Sequence, residues 1–116
     1  MFIEMCKSKI ANGFITDAHL HYEGSITIDE NLLKAVDILP GESVDVLNLN
    51  NGNRFRTYAI AGKAGGGQIC LNGPATRLGL IGDRVVILSY AFMDPQEARK
   101  HNIKIVYLDE RNKIKN

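Results

Sequence analysis

The chain has 116 residues, of which 45% are hydrophobic and 23% are charged, and its formal net charge is +1. This length and composition fit a single globular domain with its own hydrophobic core. The near-neutral charge provides no strong field for nucleic acid or an anionic membrane, and no apolar run approaches the roughly 18–20 residues that span a bilayer.

The hydrophobic pattern, followed along the chain, predicts a mainly β domain with short helices. Asp29 is expected to cap one helix, Asp94 and Pro95 are expected to begin another, and Asn51-Gly52 predicts a tight hairpin. The segment "GKAGGGQ" (62–68) is expected to be a flexible hairpin loop, and "ERNKIKN" (110–116) a polar tail. The predicted strands are residues 2–10, 17–22, 25–28, 43–49, 54–61, 69–71, 84–92 and 103–108, with the most apolar of them, 84–92, in the centre, and the first helix is residues 30–36.

Two segments of the chain echo each other. Residues 41–47 ("GESVDVL") and 82–88 ("GDRVVIL") both read Gly, acid, any residue, Val, any residue, branched aliphatic, Leu, and each follows a short helical segment. A repeated strand entry of this kind favours a barrel with pseudo-two-fold symmetry. Generic turns before aliphatic strands are the alternative.

The N-terminal segment and the metal-ligand residue types bear on compartment and cofactor class. "MFIEMCKSKI" lacks the apolar stretch of a signal peptide, so we expect a cytoplasmic protein in which Cys6 and Cys70 are free thiols. His19 and His21 would share one strand face, but no acidic or thiol group completes a ligand set around them. We therefore predict that the protein holds no metal.

Two further segments carry candidate chemistry. In "NRFRTYAI" (53–60), Arg54, Arg56 and Tyr58 would share one strand face, where an arginine beside a tyrosine could hold a carboxylate near a proton donor. The alternative is a solvated outer face. In "HYEGSITID" (21–29), Gly24-Ser25 is either the turn of a hairpin or a bond that the protein cuts. Gly-Ser here is no G-x-S-x-G elbow, so an ordinary serine-nucleophile enzyme is a weak interpretation.

The segment 22–29 ("YEGSITID") resembles the self-processing site of the pyruvoyl-dependent aspartate 1-decarboxylases. The resemblance extends to Lys9 in the first strand, to "NNGNRFRTYAI" (50–60), to "NGPA" (72–75) and to the Gly82-Asp83 strand entry, with spacing intact over nearly the whole chain. It implies a six-stranded double-psi β-barrel, consistent with the internal echo. It also implies a homotetramer whose active sites lie between subunits.

In that family, the serine hydroxyl attacks the preceding glycine carbonyl and the chain is cut. The resemblance therefore implies cleavage between Gly24 and Ser25, giving chains of residues 1–24 and 25–116, with Thr57 assisting at the Gly24 carbonyl. Ser25 becomes a covalent pyruvoyl group, which acts on L-aspartate through a Schiff base and yields β-alanine for pantothenate and coenzyme A synthesis. Tyr58 would protonate the intermediate. The remaining implied substrate-binding residues are Lys9, Arg54, Thr57, Asn72, Gly73, Pro74 and Ala75.

Three positions depart from the family pattern. Ala11 replaces a frequent histidine or other polar residue, and Leu47 replaces a tryptophan of some members. Pro74 replaces a frequent alanine and has no N–H to donate, so Gly73 and Ala75 would have to serve there. The need for a maturation factor is left open by the sequence. So are two rival functions: a non-catalytic barrel that binds a ligand or nucleic acid, and a pyruvoyl decarboxylase for another acidic amino acid such as glutamate.

Overall fold

The computed structural model describes residues 1–115, and within them the protein is mainly β with short helices, as predicted. Asn116, the last residue of the predicted polar tail, lies outside the described residues. Two α-helices are present, α1 (Glu30–Ala35) and α2 (Pro95–Lys100), together with a 3₁₀ helix over Gly73–Leu78. The strands of the described chain are β1 (Ile3–Phe14), β2 (Asp17–His19), β3 (Ser25–Asp29), β4 (Ser43–Asn48), β5 (Arg54–Gly62), β6 (Ile69–Asn72), β7 (Arg84–Met93), β8 (Lys104–Leu108) and β9 (Ile114–Lys115).

The strands form one continuous sheet in the order β2-β6-β3-β5-β4-β7-β1-β8-β9. Strand β7 lies in the middle, between β4 and β1, which confirms the central position predicted for it. Parallel pairs β3–β5 and β1–β8 flank the antiparallel centre on its two sides. This arrangement is consistent with a double-psi barrel.

The echoed segments occupy equivalent positions about the centre of the sheet. Gly41 and Gly82 both have positive φ, at +88° and +94°, a conformation that glycine adopts without a Cβ clash. The next residue in each copy, Glu42 or Asp83, accepts a hydrogen bond from the backbone N–H three residues earlier, at 3.0 and 2.9 Å. Strands β4 and β7 then begin and pair with each other. The echo is therefore a structural repeat.

Branched aliphatic side chains fill the interior between the strands and α1. Asp29 caps α1, as predicted, by accepting a hydrogen bond from the N–H of Asn31. The side chains of Leu32 and Leu33 on this helix are buried against the sheet. The most buried core residues include Ile10, Ile26, Ile28, Val44, Val46, Ile69, Leu71 and Ile87.

Several predicted boundaries are wrong. Strand β1 continues to Phe14 through irregular pairing with β7, and the second strand ends at His19, so residues 20–24 form an exposed bend. The predicted polar tail contains β9, which pairs with β8. The glycine-rich loop is not a hairpin, because β5 and β6 each pair with β3 rather than with each other.

Candidate active site

The Gly24–Ser25 bond lies where the exposed bend of residues 20–24 enters β3. Gly24 is exposed, whereas Ser25 is fully buried. Strands β2 and β3 both pair with β6, which lies between them. The alternative that Gly24-Ser25 is the turn of a hairpin is therefore wrong.

The Ser25 hydroxyl is held by two neutral partners. Its Oγ donates to the carbonyl oxygen of Glu23 at 3.3 Å and accepts from Nδ2 of Asn72 at 2.9 Å. The same Asn72 amide donates to Oγ1 of Thr27 at 2.9 Å and accepts from the thiol of Cys70 at 3.4 Å. These contacts fix the position of the hydroxyl beside the Gly24 carbonyl without providing a base.

Thr27 and Cys70 belong to this network, and the sequence interpretation missed both. A usable signal existed, because Ser25 and Thr27 are two apart on one strand, as are Cys70 and Asn72 on another. The register pairs Ser25 with Asn72 and Thr27 with Cys70. The pairing of β3 with β6 is the fact that the sequence did not reveal.

The backbone of Gly73 packs directly against the segment before Ser25. Its φ is +63°, and a Cβ added there would lie 2.6 Å from the carbonyl oxygen of Tyr22 and 3.0 Å from the nitrogen of Gly24. Real Cβ atoms do not approach other atoms within 3.0 Å. The close approach of the Gly73 backbone to residues 22–24 therefore requires glycine.

Strand β5 brings Thr57 and Tyr58 alongside the bond. The parallel register of β3 and β5 begins with Ile26 paired to Ala59, so Ser25 and Tyr58 each come one residue before that first pair. Gly24 and Thr57 also line a shared pocket of about 230 Å³, completed by Phe55, Arg56, Pro74, Ala75 and Leu78. This is smaller than the ~300–1,000 Å³ of pockets for drug-sized ligands, so it suits a small substrate. A larger cavity of about 400 Å³ lies beside α1 and is lined by none of the predicted site residues.

Arg54 and Lys9 lie on the outer face of the sheet. Nη2 of Arg54 donates to the hydroxyl of Tyr90 at 3.2 Å and lies 3.9 Å from Oδ2 of Asp45. Arg56 contacts the same carboxylate more closely, at 2.9 Å from Nε to Oδ1, and this hydrogen bond holds the pKa of Asp45 below its usual range. The charged side chains of β5 are therefore part of an ion-pair cluster rather than separately solvated.

Lys9 and Ser25 lie on strands that are well separated in the order of the sheet. In the sheet order, β1 is four strands from β3, which is about 19 Å along the sheet at ~4.8 Å per strand. Lys9 pairs instead with Leu88 of β7 and Ile105 of β8. Among the described residues, no hydrogen bond or ion pair joins Lys9 to Ser25.

The other predicted features are placed as follows. His19 and His21 are exposed, and residues 1–115 contain no cluster of three His, Cys, Asp or Glu side chains able to hold a metal ion. Cys6 and Cys70 are free thiols, as predicted. Ala11 is buried and Leu47 half-buried. Over the described part of the chain, every helix is too short or too polar to cross a bilayer.

Comparison with known proteins gives one consistent family. The family model described as aspartate decarboxylase matches residues 1–115. The aspartate 1-decarboxylase of Thermoanaerobacter pseudethanolicus is 56% identical over 109 residues, covering 94% of this chain and 93% of that protein. The aspartate 1-decarboxylase of Acetivibrio thermocellus is 53% identical over 116 residues, covering 100% and 92%. That of Pelotomaculum thermopropionicum is 56% identical over 114 residues, covering 98% and 86%. The chain therefore belongs to the aspartate decarboxylase family.

Proposed function

We propose that this protein is an aspartate 1-decarboxylase, a carboxy-lyase that converts L-aspartate into β-alanine and carbon dioxide for pantothenate and coenzyme A synthesis. The observation that carries the activity is the family match over residues 1–115, together with relatives of that name at more than half identity over most of both chains. A non-catalytic binding barrel is not favoured by these matches. We place the reaction in the cytoplasm.

The first step is cleavage of the chain's own Gly24–Ser25 bond. The Ser25 oxygen bonds to the Gly24 carbonyl carbon, the C–N bond breaks, and the amide becomes an ester. β-Elimination then releases residues 1–24 with a terminal carboxyl group and leaves dehydroalanine at residue 25. Water replaces its nitrogen, ammonia departs, and a pyruvoyl group begins the chain of residues 25–116. The buried hydroxyl of Ser25, held by Asn72, supports this route.

The surroundings of residue 25 fit such a group. When formed, the pyruvoyl ketone supplies an electron sink for loss of the α-carboxyl group. Thr57 lines the pocket with Gly24 and is proposed to donate to the Gly24 carbonyl during cleavage. Asn72, Gly73 and Ala75 are proposed to bind the substrate, with Pro74 closing the pocket wall. Tyr58, on the strand next to Ser25, is proposed to deliver the proton that replaces the carboxylate.

Positive charge is needed to recognise a dicarboxylate, and we assign it to Arg54 and Lys9. The strong contact belongs on the β-carboxylate, which stays in the product. A strong grip on the departing α-carboxylate would stabilise the ground state and slow its loss. The half-exposed guanidinium of Arg54, with a side-chain exposure of 57%, is accessible for this contact.

A site shared between subunits would reconcile the position of Lys9 with this role. Lys9 is four strands from β3 within one chain, and its strand presents a face that a second copy could contact. We therefore propose a homotetramer in which Lys9 of one subunit serves Ser25 of another. Tyr58 and Arg54 lie on the same outer face as Lys9, which supports one common contact surface.

Intact-mass analysis of purified protein, followed by an assay for carbon dioxide release, tests the proposal. We expect two polypeptides, the larger lighter by one ammonia than residues 25–116 with an N-terminal serine. Carbon dioxide should come from aspartate and not from glutamate, and light scattering should give the mass of a tetramer. Ser25→Ala is the matched control and should stay one inactive chain. An uncleaved wild-type chain that still decarboxylates aspartate would refute the pyruvoyl route, and preference for glutamate would refute the substrate.

A further inference from the structure

Asp45 lies between two arginines on the outer face of β4 and β5. Its carboxylate contacts Arg56 side-on, with Nε to Oδ1 at 2.9 Å and Nη2 to Oδ2 at 3.4 Å. Arg54 approaches the same Oδ2 only to 3.9 Å and directs its hydrogen bond to the Tyr90 hydroxyl. The Asp45 carboxylate is therefore hydrogen-bonded to Arg56, whereas Arg54 lies nearby without a hydrogen bond to it.

The carboxylate of Asp45 could compete strongly with the substrate's β-carboxylate for Arg54. Its side chain is 12% exposed, whereas those of both arginines are 57% exposed. The hydrogen bond from Arg56 keeps the pKa of Asp45 low, so the group is ionised at neutral pH. Without Arg56, the shielded carboxylate of Asp45 would pair with Arg54, because an uncompensated charge that is mostly shielded from water is costly.

We propose that Arg56 is a positioning residue that keeps Asp45 occupied and so leaves Arg54 available to bind the substrate's β-carboxylate. Arg56 exerts this effect through Asp45, in addition to its place in the wall of the pocket beside Gly24. This inference rests on the role proposed above for Arg54. The Tyr90 hydroxyl accepts a hydrogen bond from Nη2 of Arg54 at 3.2 Å and so gives that nitrogen a partner other than Asp45. The ring of Tyr90 also lies 5.7 Å below the guanidinium of Arg56, which keeps that side chain over the cluster.

The test is a double-mutant cycle on the processed enzyme, with rates normalised to the cleaved fraction. Arg56→Gln should raise the KM for aspartate about fivefold, the size expected when a surface ion pair must be broken, and leave kcat within about twofold. Adding Asp45→Asn to that variant removes the competing carboxylate and should restore the KM. Arg99→Gln removes a positive charge from the exposed end of α2 and is the matched control, with KM unchanged.

Restoration of the KM by Asp45→Asn distinguishes a positioning role of Arg56 from a direct contact between Arg56 and the substrate. An unchanged KM in Arg56→Gln would overturn the inference, and so would a raised KM that Asp45→Asn fails to restore. Arg56→Lys keeps the charge but loses the side-on contact, and it should give a smaller rise; thermal unfolding checks that each variant is folded. Arg54→Gln separates the two proposals: if it leaves KM unchanged, the substrate contact of Arg54 is wrong and the inference is withdrawn with it. If only Arg54→Gln raises KM, the inference alone is wrong.

Discussion

Replacing Gly73 with alanine should disturb the proposed self-cleavage site through its backbone. Gly73 has a φ of +63°, and a Cβ there would lie 2.6 Å from the carbonyl oxygen of Tyr22. The oxygen is part of the backbone, so it can move away only if the segment that carries Gly24 into β3 moves with it. The substitution therefore displaces the scissile bond and not merely a flexible side chain.

Gly73→Ala is expected to have two effects, one on the free energy of folding and one on the rate of cleavage. The left-handed conformation costs an alanine roughly 1–2 kcal/mol of folding free energy, wherever it occurs. Relief of the clash requires a shift of several tenths of an ångström at Tyr22 and Gly24, and misplacement approaching 1 Å can cost about 100-fold in rate. We therefore expect Gly73→Ala to slow cleavage by about 10- to 100-fold.

The chain contains a matched control for the backbone cost. Gly52 has a φ of +77°, and a Cβ added there would meet nothing within 4 Å. Gly52→Ala should lose similar unfolding free energy in chemical denaturation but cleave at the wild-type rate. Intact-mass time courses of freshly purified precursor give the cleavage rates. If Gly73→Ala and Gly52→Ala cleave equally fast, the close approach of residue 73 does not govern the geometry of the bond.

Two other predictions concern the polar contacts on either side of β3. Asn72→Leu should slow cleavage about tenfold, because the Ser25 hydroxyl loses the amide that orients it, whereas Thr27→Val should not; equal mass-spectrometric rates would contradict this. Asp29→Asn should lower the free energy of unfolding by about 2 kcal/mol near pH 7, because the carboxylate accepts three N–H groups at 2.9 Å. Burial raises the pKa of Asp29, but the three N–H groups lower it by more, so the folded pKa lies below the unfolded one. The stabilisation by the Asp29 carboxylate is therefore complete above the unfolded pKa of about 4 and is lost as pH falls through the lower folded pKa. Denaturation at about pH 7 and pH 3 should show the difference between wild type and Asp29→Asn shrinking, and a constant difference would contradict the account.

Features determined by neighbouring residues were predictable from sequence. Asn51-Gly52 predicted the turn between β4 and β5, and Gly52 has the positive φ that such a turn requires. Asp29 was predicted to cap α1 and does so. Its bonds to Gly65 and Gly67, however, join residues 36 and 38 positions apart, and no local pattern encodes such a distance. The glycine-rich loop was assigned as a hairpin for the same reason.

In the candidate site, as in the fold, contacts between residues distant in the chain could not be predicted from local patterns. Composition and spacing could not have distinguished Gly24-Ser25 from an ordinary turn, because what matters is that β6 lies between β2 and β3. That placement buries Ser25 and brings Asn72 to its hydroxyl. Resemblance to a family supplied the residues, but it could not show that Arg54 shares Asp45 with Arg56.

The separation of Lys9 from Ser25 limits what one chain can do. The proposed cleavage would depend on groups contributed by β3, β5, β6 and the 3₁₀ helix, all of which meet around Gly24 in a single chain. Recognition of the substrate is assigned to cations on the outer face of β1 and β5. Strand β1, which carries Lys9, is four strands from β3 in the sheet order. On this division, an isolated subunit would carry the cleavage machinery, and only assembly would complete the charge that selects a dicarboxylate. Maturation and substrate selection would then respond to different substitutions, cleavage to Gly73 and Asn72, and substrate affinity to Arg54, Arg56 and Asp45.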